Sequence, residues 1–168
     1  MDYLNSNDID FATITETWLT ENNNYTTSVI KDFGYDLMHI HRKNRVGGGV
    51  AILYKNLNVK PAKKLVSVDS FEYYACTIEL KNQRDINVIC VYRPGPPKSG
   101  VYDFCTELET VIEKHIRDEG CIVTGDFNIY YELDDCNKHY LWSSTTSFGL
   151  TQLVPNVAMY QLMTLVIH

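Results

Sequence analysis

The sequence has no surplus of positive charge: 15 Lys and Arg stand against 21 Asp and Glu, a formal net charge of −6. A protein that grips nucleic acid mainly by neutralising its backbone carries the opposite sign. The deficit lowers the expected binding strength but does not exclude phosphodiester chemistry. Carboxylates that hold a divalent cation add negative charge at the site itself, and the cation then screens the substrate phosphate. No apolar run is long enough to span a bilayer as a helix. No Cys-x-x-Cys pair or Cys/His ligand spacing occurs among Cys76, Cys90, Cys105, Cys121 and Cys136. That odd set fits a reducing, intracellular setting better than a disulfide framework. Cys76, Cys90 and Cys121 lie inside apolar runs and read as small buried hydrophobes. No signal peptide precedes the glycosylation sequon Asn24-Tyr25-Thr26, which therefore carries no weight. There is no internal repeat, low-complexity tract or linker, so residues 1–168 read as one domain. No Ser/His/Asp or Cys/His nucleophile pattern stands out. None of His39, His41, His115, His139 and His168 pairs recognisably with an Asp, and no general base is assigned.

What is present is apolar and aromatic. Hydrophobic residues make up 45% of the chain and charged residues 21%, which excludes disorder, and 12 Tyr with 6 Phe favour sheets. Short runs rich in Val, Ile and Tyr, bounded by Gly, Asn, Asp or Pro, predict strands at Asp8–Glu16, Tyr35–His41, Gly49–Tyr54, Phe71–Leu80 and Ile86–Tyr92. Phe104, Leu108, Val111, Ile112 and His115 or Ile116 share one helical face, with Glu107, Glu109, Glu113, Lys114 and Arg117 elsewhere, and Gly120 is a plausible stop. Further helices are expected around Asn22–Phe33 and Tyr140–Phe148. A fully apolar strand, Cys121–Thr124, follows the first helix, and an apolar stretch, Ala158–Ile167, closes the chain. Strands with a crossover helix before a buried strand predict an α/β protein with helices outside the sheet.

Three motifs end apolar strands, where sites tend to form. Gly125-Asp126-Phe127-Asn128 sets a carboxylate and an amide two residues apart, on one side of an extended backbone. The carboxylate can orient and deprotonate a water while the amide donates to a phosphate oxygen. The same tetrapeptide also fits a strand end followed by an Asx turn. Thr15-Glu16-Thr17-Trp18-Leu19 offers Glu16 as an oxygen ligand for a hard cation, or as a surface carboxylate at a strand-to-loop junction. Val91-Tyr92-Arg93-Pro94 offers a hydroxyl and a guanidinium to phosphate, or a rim Tyr beside a solvated Arg. The glycine-rich run Arg45–Ile52 lacks the Lys-Ser/Thr of a P-loop and reads as a lead-in to a strand.

Taken in order, Thr15–Leu19, Arg45–Ile52, Phe71-Glu72, Val91–Pro94, Gly125–Ile129 and Ser147-Phe148-Gly149-Leu150 resemble the endonuclease domain of LINE-type (non-LTR) retrotransposon reverse transcriptases, within the endonuclease/exonuclease/phosphatase superfamily. The resemblance runs from about Asp8 to Ile167. It implies a four-layer α/β/β/α fold, a two-sheet β-sandwich flanked by helices. It implies a divalent metal, Mg2+ or Mn2+, and hydrolysis of DNA phosphodiesters. By the same resemblance Glu16 is the metal ligand, Tyr92 contacts the scissile phosphate, Asp126 aligns or activates the attacking water, and Asn128 helps hold the phosphate and metal site. The implied partners are DNA and a reverse transcriptase domain in a longer parent protein, with no membrane, and a nuclear location if functional.

The departures are specific. The family's first strand, with its supporting Asn, has no counterpart upstream of Asp8, which predicts an exposed sheet edge. The family's Leu-Asp-Leu-Val-Ile reads Met163-Thr164-Leu165-Val166-Ile167, so Thr164 replaces the Asp that orients a catalytic His. Pro155-Asn156-Val157 stands for Pro-Thr-His, the terminal Ser-Asp-His is missing, and His168 falls too early to replace it. The expectation is a single endonuclease/exonuclease/phosphatase-like domain, truncated at both ends, with loosely bound metal and impaired cleavage. The alternatives are a non-catalytic remnant of that domain, or a phosphatase or phosphodiesterase of the same superfamily.

Overall fold

The computed structural model describes residues 1–42, 47–95, 100–115, 120–129, 136–153 and 162–167, with 136–138 and 162–167 described in their backbone alone. Among these the chain runs α1 (Asp2–Ser6), β1 (Phe11–Thr15), α2 (Asn24–Asp32), β2 (Asp36–Ile40), β3 (Val50–Tyr54), β4 (Asn58–Pro61), β5 (Glu72–Glu79), β6 (Ile86–Tyr92), α3 (Val101–His115), β7 (Gly120–Asp126), α4 (Cys136–Ser147), β8 (Thr151–Gln152) and β9 (Leu162–Ile167). Each strand and helix expected from the sequence forms, with shifted ends. Helix α1 and strands β4 and β8 carry no periodicity long enough to announce them. Arg45, Val46, Pro96, Pro97, Ile116, Arg117, residues 155–161 and His168 lie outside the described residues.

The strands form a three-stranded antiparallel sheet, β1-β3-β2, and a six-stranded mixed sheet, β4-β5-β6-β7-β9-β8. The one parallel pair among the described strands is β6 with β7, joined by α3 as a crossover. Strand β1 packs over β6 and β7, and β3 over β5 and β6, so the sheets lie face to face. Alternation along the strands then makes three apolar layers. Val50, Ile52, Cys76, Val88, Cys90 and Tyr92 fill the space between the sheets. Ala75, Ile89, Val91, Cys121 and Val123 point the other way, onto Phe104, Leu108, Val111 and Ile112 of α3 and Leu141 of α4. Ile30, Tyr35 and Leu53 seal the outer face of the small sheet with Met1 and Leu4 at α1. This is the four-layer α/β/β/α sandwich. Each such large apolar side chain contributes roughly 1.5–3 kcal/mol when fully buried.

Two helices stop in the same way. Gly34 N–H donates to Lys31 O at 2.8 Å and Tyr35 N–H to Ile30 O at 3.2 Å; Gly149 N–H donates to Thr146 O at 2.9 Å and Leu150 N–H to Thr145 O at 3.2 Å. Both are Schellman closures, each followed by a buried apolar residue, Tyr35 or Leu150. Phe-Gly-Tyr and Phe-Gly-Leu are therefore helix stops, and Ser147–Leu150 is a structural motif. Strand β1 is an edge of the small sheet.

Candidate active site

The site begins with register. Glu72 opens β5 and pairs with Tyr92, the last residue of β6; Tyr92 pairs in turn with Asp126, the last residue of β7. Three strands thus bring a carboxylate, a phenol and a carboxylate into one row. Tyr92 belongs to the core between the sheets, which fixes the face that this row shares. Glu16 arrives from the other sheet, just past the end of β1. Tyr92 Oη donates to Glu16 Oε1 at 2.5 Å, closing the row across the sandwich.

The chain beyond Asp126 turns back at once. Asn128 N–H donates to Asp126 Oδ1 at 3.0 Å, an Asx turn, and Asn128 Nδ2 donates to Asp126 Oδ2 at 3.3 Å and to Arg93 O at 2.5 Å. Asn128 has φ +48°, so it does not reach Asp126 along an extended strand, as residue spacing alone suggested; the turn brings it there. The turn and a carboxylate site are one structure. The Asn128 amide protons are directed to Asp126 and Arg93, not outward to a phosphate.

Arg93 also departs from both sequence readings. It is only 1% exposed, so it is neither solvated nor presented to substrate. Its Nη1 donates to Phe127 O at 3.3 Å and to Asn128 O at 3.1 Å, its guanidinium lies over the Phe104 ring at 5.4 Å, and its backbone N–H donates to Asp126 O at 2.8 Å. Arg93 fixes the Asp126–Asn128 loop from beneath. Gly125 allows the close approach that this needs: at φ +139°, a Cβ there would stand 1.9 Å from Val91 O.

The glycine-rich run has a role that its sequence did not reveal. Gly47, Gly48 and Gly49 take φ values of +88°, +71° and +87°. Their backbone holds the segment after β1, since Thr17 N–H donates to Gly49 O at 3.3 Å and Trp18 N–H to Gly48 O at 2.9 Å. Glu72 Oε2 accepts from Gly49 N–H, and Glu72 Oε1 pairs with Arg42, whose guanidinium lies 5.8 Å from the Tyr92 ring centre. Glu72 and Arg42 thus tie the glycine turn to the row of Glu72, Tyr92 and Asp126. The signal for Glu72 was its register opposite Tyr92, readable only once β5 and β6 are aligned.

The electrostatics follow from the geometry. Burial pushes the Tyr92 hydroxyl up to about 12, helped by its bond to Glu16 and by the Glu16 charge, with Arg42 pulling the other way. Burial likewise raises Asp126; the Glu16 charge adds to it and the Asn128 N–H opposes it. Glu16 and Asp126 are therefore within electrostatic reach of one another. Oxygen donors that repel each other suit a hard divalent cation, which removes the repulsion. Among the described residues no group of three or more His, Cys, Asp or Glu is placed to hold a metal ion. Glu16 and Asp126 are the oxygen donors of this row that suit a hard divalent cation. Thiol chemistry has no support among the described cysteines: Cys76, Cys90, Cys105 and Cys121 are buried, which pushes each thiol up to about 12.

The sequence matches the Endonuclease/Exonuclease/phosphatase family over residues 1–156. No curated protein matches it. Among solved structures, the fold is similar to an AP endonuclease from Archaeoglobus fulgidus at 14% identity and a TM-score of 0.69, covering 98% of this chain and 78% of that one. It is similar to the endonuclease domain of TRAS1, a telomere-specific non-LTR retrotransposon, at 15% identity and a TM-score of 0.66, covering 97% and 75%. It is also similar to the 3′ phosphatase NExo from Neisseria bound to product DNA hairpin, at 15% identity and a TM-score of 0.64, covering 98% and 78%. At these identities the likeness is one of fold.

Proposed function

The chain belongs to the endonuclease/exonuclease/phosphatase family, and from that premise we propose that it is a metal-dependent DNA endonuclease domain of the retrotransposon type, with impaired turnover. The observation that carries the reading is the convergence of Glu16, Tyr92, Asp126 and Asn128 from two sheets onto one edge of the sandwich. Glu16 and Asp126 would hold a hydrated magnesium or manganese ion, which supplies charge stabilisation at the phosphate when bound. Tyr92 keeps its proton into the alkaline range and orients the Glu16 carboxylate. Asp126, with its proton affinity raised by burial and by Glu16, is suited to align and deprotonate a water. Asn128 is a positioning residue that fixes the Asp126 carboxylate through the Asx turn and the amide bond. DNA is the proposed substrate, a reverse transcriptase domain the proposed neighbour in a longer parent chain, and the nucleus the proposed place of action. Among the described residues no helix is long and apolar enough to cross a membrane.

The impairment rests on Thr164. It lies on β9 in register with Thr124, two residues before Asp126 on the adjoining strand, where the resemblance calls for an Asp. A threonine cannot carry the charge that would orient an imidazole, and losing one member of such a cooperating set can cost nearly as much as losing all of them.

The test is plasmid nicking with magnesium, for the parent chain and Asp126→Ala. Slow nicking by the parent that disappears in the variant is the expected result. Equal behaviour of the two would overturn the enzyme reading in favour of a non-catalytic remnant. Phosphate release from a 3′-phosphorylated oligonucleotide without nicking would favour the phosphatase alternative.

A further inference from the structure

Two residues beyond Glu16, Trp18 stands 63% exposed with its backbone at φ +55°. A tryptophan left in solvent forfeits its burial, and a left-handed backbone is a genuine outlier for so bulky a residue. Neither feature serves the core, because Trp18 belongs to none of the three apolar clusters. Both are nevertheless enforced. Trp18 N–H donates to Gly48 O at 2.9 Å, Thr17 N–H donates to Gly49 O at 3.3 Å, and Leu19 N–H donates to Thr17 Oγ1 at 3.4 Å. The indole lies along Gly47, where a Cβ would sit 3.6 Å from the ring. The ring is therefore braced by the glycine turn that Glu72 anchors, two residues along the chain from the carboxylate that Tyr92 holds.

We propose that Trp18 is a nucleobase-stacking subsite. Its indole takes an unstacked base next to the phosphate that the cation proposed at Glu16 and Asp126 would hold. The inference rests on the endonuclease reading and adds to it the part of the substrate that the enzyme grips. An aromatic face accepts any base, so the subsite is tolerant of sequence. The net charge of −6 makes such an uncharged contact matter more, since backbone neutralisation contributes little here. A braced ring also loses little freedom when a base settles on it.

The chain has two tryptophans, Trp18 and Trp142, so Trp142→Phe leaves Trp18 as the one indole reporter. With EDTA present, short oligothymidylate should quench that emission saturably, and inorganic tripolyphosphate, an anion without bases, should not. Trp18→Ala should weaken oligothymidylate binding by about 5- to 100-fold, with Trp18→Phe recovering much of the loss. Because the side chain is exposed, both variants should fold as the parent does, which circular dichroism checks. Unaltered emission on adding the oligonucleotide, equal quenching by tripolyphosphate, or parent-like affinity of Trp18→Ala would each overturn the proposal. The two readings fail separately. Base-dependent quenching without nicking by the parent leaves the subsite standing and sinks the endonuclease; nicking by Trp18→Ala with parent-like KM does the reverse.

Discussion

Tyr92 and Glu16 are joined by a 2.5 Å hydrogen bond that links the two sheets at the edge where Asp126 ends its strand. It places the acceptor in the small sheet's exit loop and the donor in the inter-sheet core. The site therefore exists only while the sheets keep their relative position. The bond also spends the phenol proton on the carboxylate, so Glu16 is oriented before any cation arrives.

Tyr92→Phe removes that donor and leaves the ring in the core. A hydrogen bond to a charged group contributes about 1.5–3 kcal/mol, so stability should drop by up to that amount, and nicking by the folded variant should fall roughly 10- to 100-fold. In the parent, the hydroxyl is pushed up to about 12. An ordinary tyrosine ionises near pH ~10; here the nicking rate should show no fall from tyrosine ionisation between about pH 8 and 10. A pH–rate profile of parent and variant checks both statements.

Asp126 offers a second test, with a defined sign. Its pKa is raised in the fold, first by burial and then by Glu16. The folded state therefore holds the proton to higher pH than the unfolded chain does, and the ionised group opposes folding once pH exceeds the ordinary Asp range, about 3.9. Asp126→Asn should raise the melting temperature at neutral pH, and the gain should shrink as pH falls below that range, while nicking drops by about 10²–10⁴-fold. A melting temperature lower than the parent's at pH 7 would falsify the electrostatic account.

Gly125→Ala sets a Cβ 1.9 Å from Val91 O in a backbone conformation at φ +139°. No side chain on the route can yield, because the obstacle is the neighbouring strand itself. The expected loss exceeds about 3 kcal/mol, the range of severe single-site effects. Urea unfolding of soluble protein, or failure to obtain any, checks this; a parent-like midpoint would mean that β6 and β7 can separate at Gly125.

Arg93→Met keeps volume over the Phe104 ring and removes the donors to Phe127 O and Asn128 O. A buried acceptor left without its donor costs about 1–3 kcal/mol. Stability measured by urea should drop by roughly that amount, and nicking should drop further than stability explains, because the Asp126–Asn128 loop loses its floor.

Most of the fold was legible because each layer leaves its own periodicity. Short apolar runs rich in Val, Ile and Tyr gave β5 and β6, and the 3.6-residue spacing of Phe104, Leu108, Val111 and Ile112 gave α3. Strands β4 and β8 were hidden by their four and two residues, too few to show a period. The four candidate site residues were found as polar groups closing apolar strands, and the structure brings them together. Arg93 was misread because a charged residue beside Pro94 looks solvated; only the fold reveals the carbonyls of Phe127 and Asn128 waiting beneath it. Arg42 was not singled out, and Glu72 was noted in the motif series without a role, because their meaning is relational, set by partners 30 positions apart in the chain.

The separation of Glu16 from Tyr92, 76 positions, also has a kinetic consequence. Strands β5 and β6 are chain neighbours and pair after closing a short loop, whereas the contact between Glu16 and Tyr92 closes a long one, and Asp126 must be delivered by a parallel crossover. Long-range closure and parallel pairing are the slow steps of folding. In a refolding experiment, far-ultraviolet signal should therefore recover before nicking does. On the proposed reading, a chain still being synthesised has no assembled site until Asp126 has emerged and the second sheet has closed on the first.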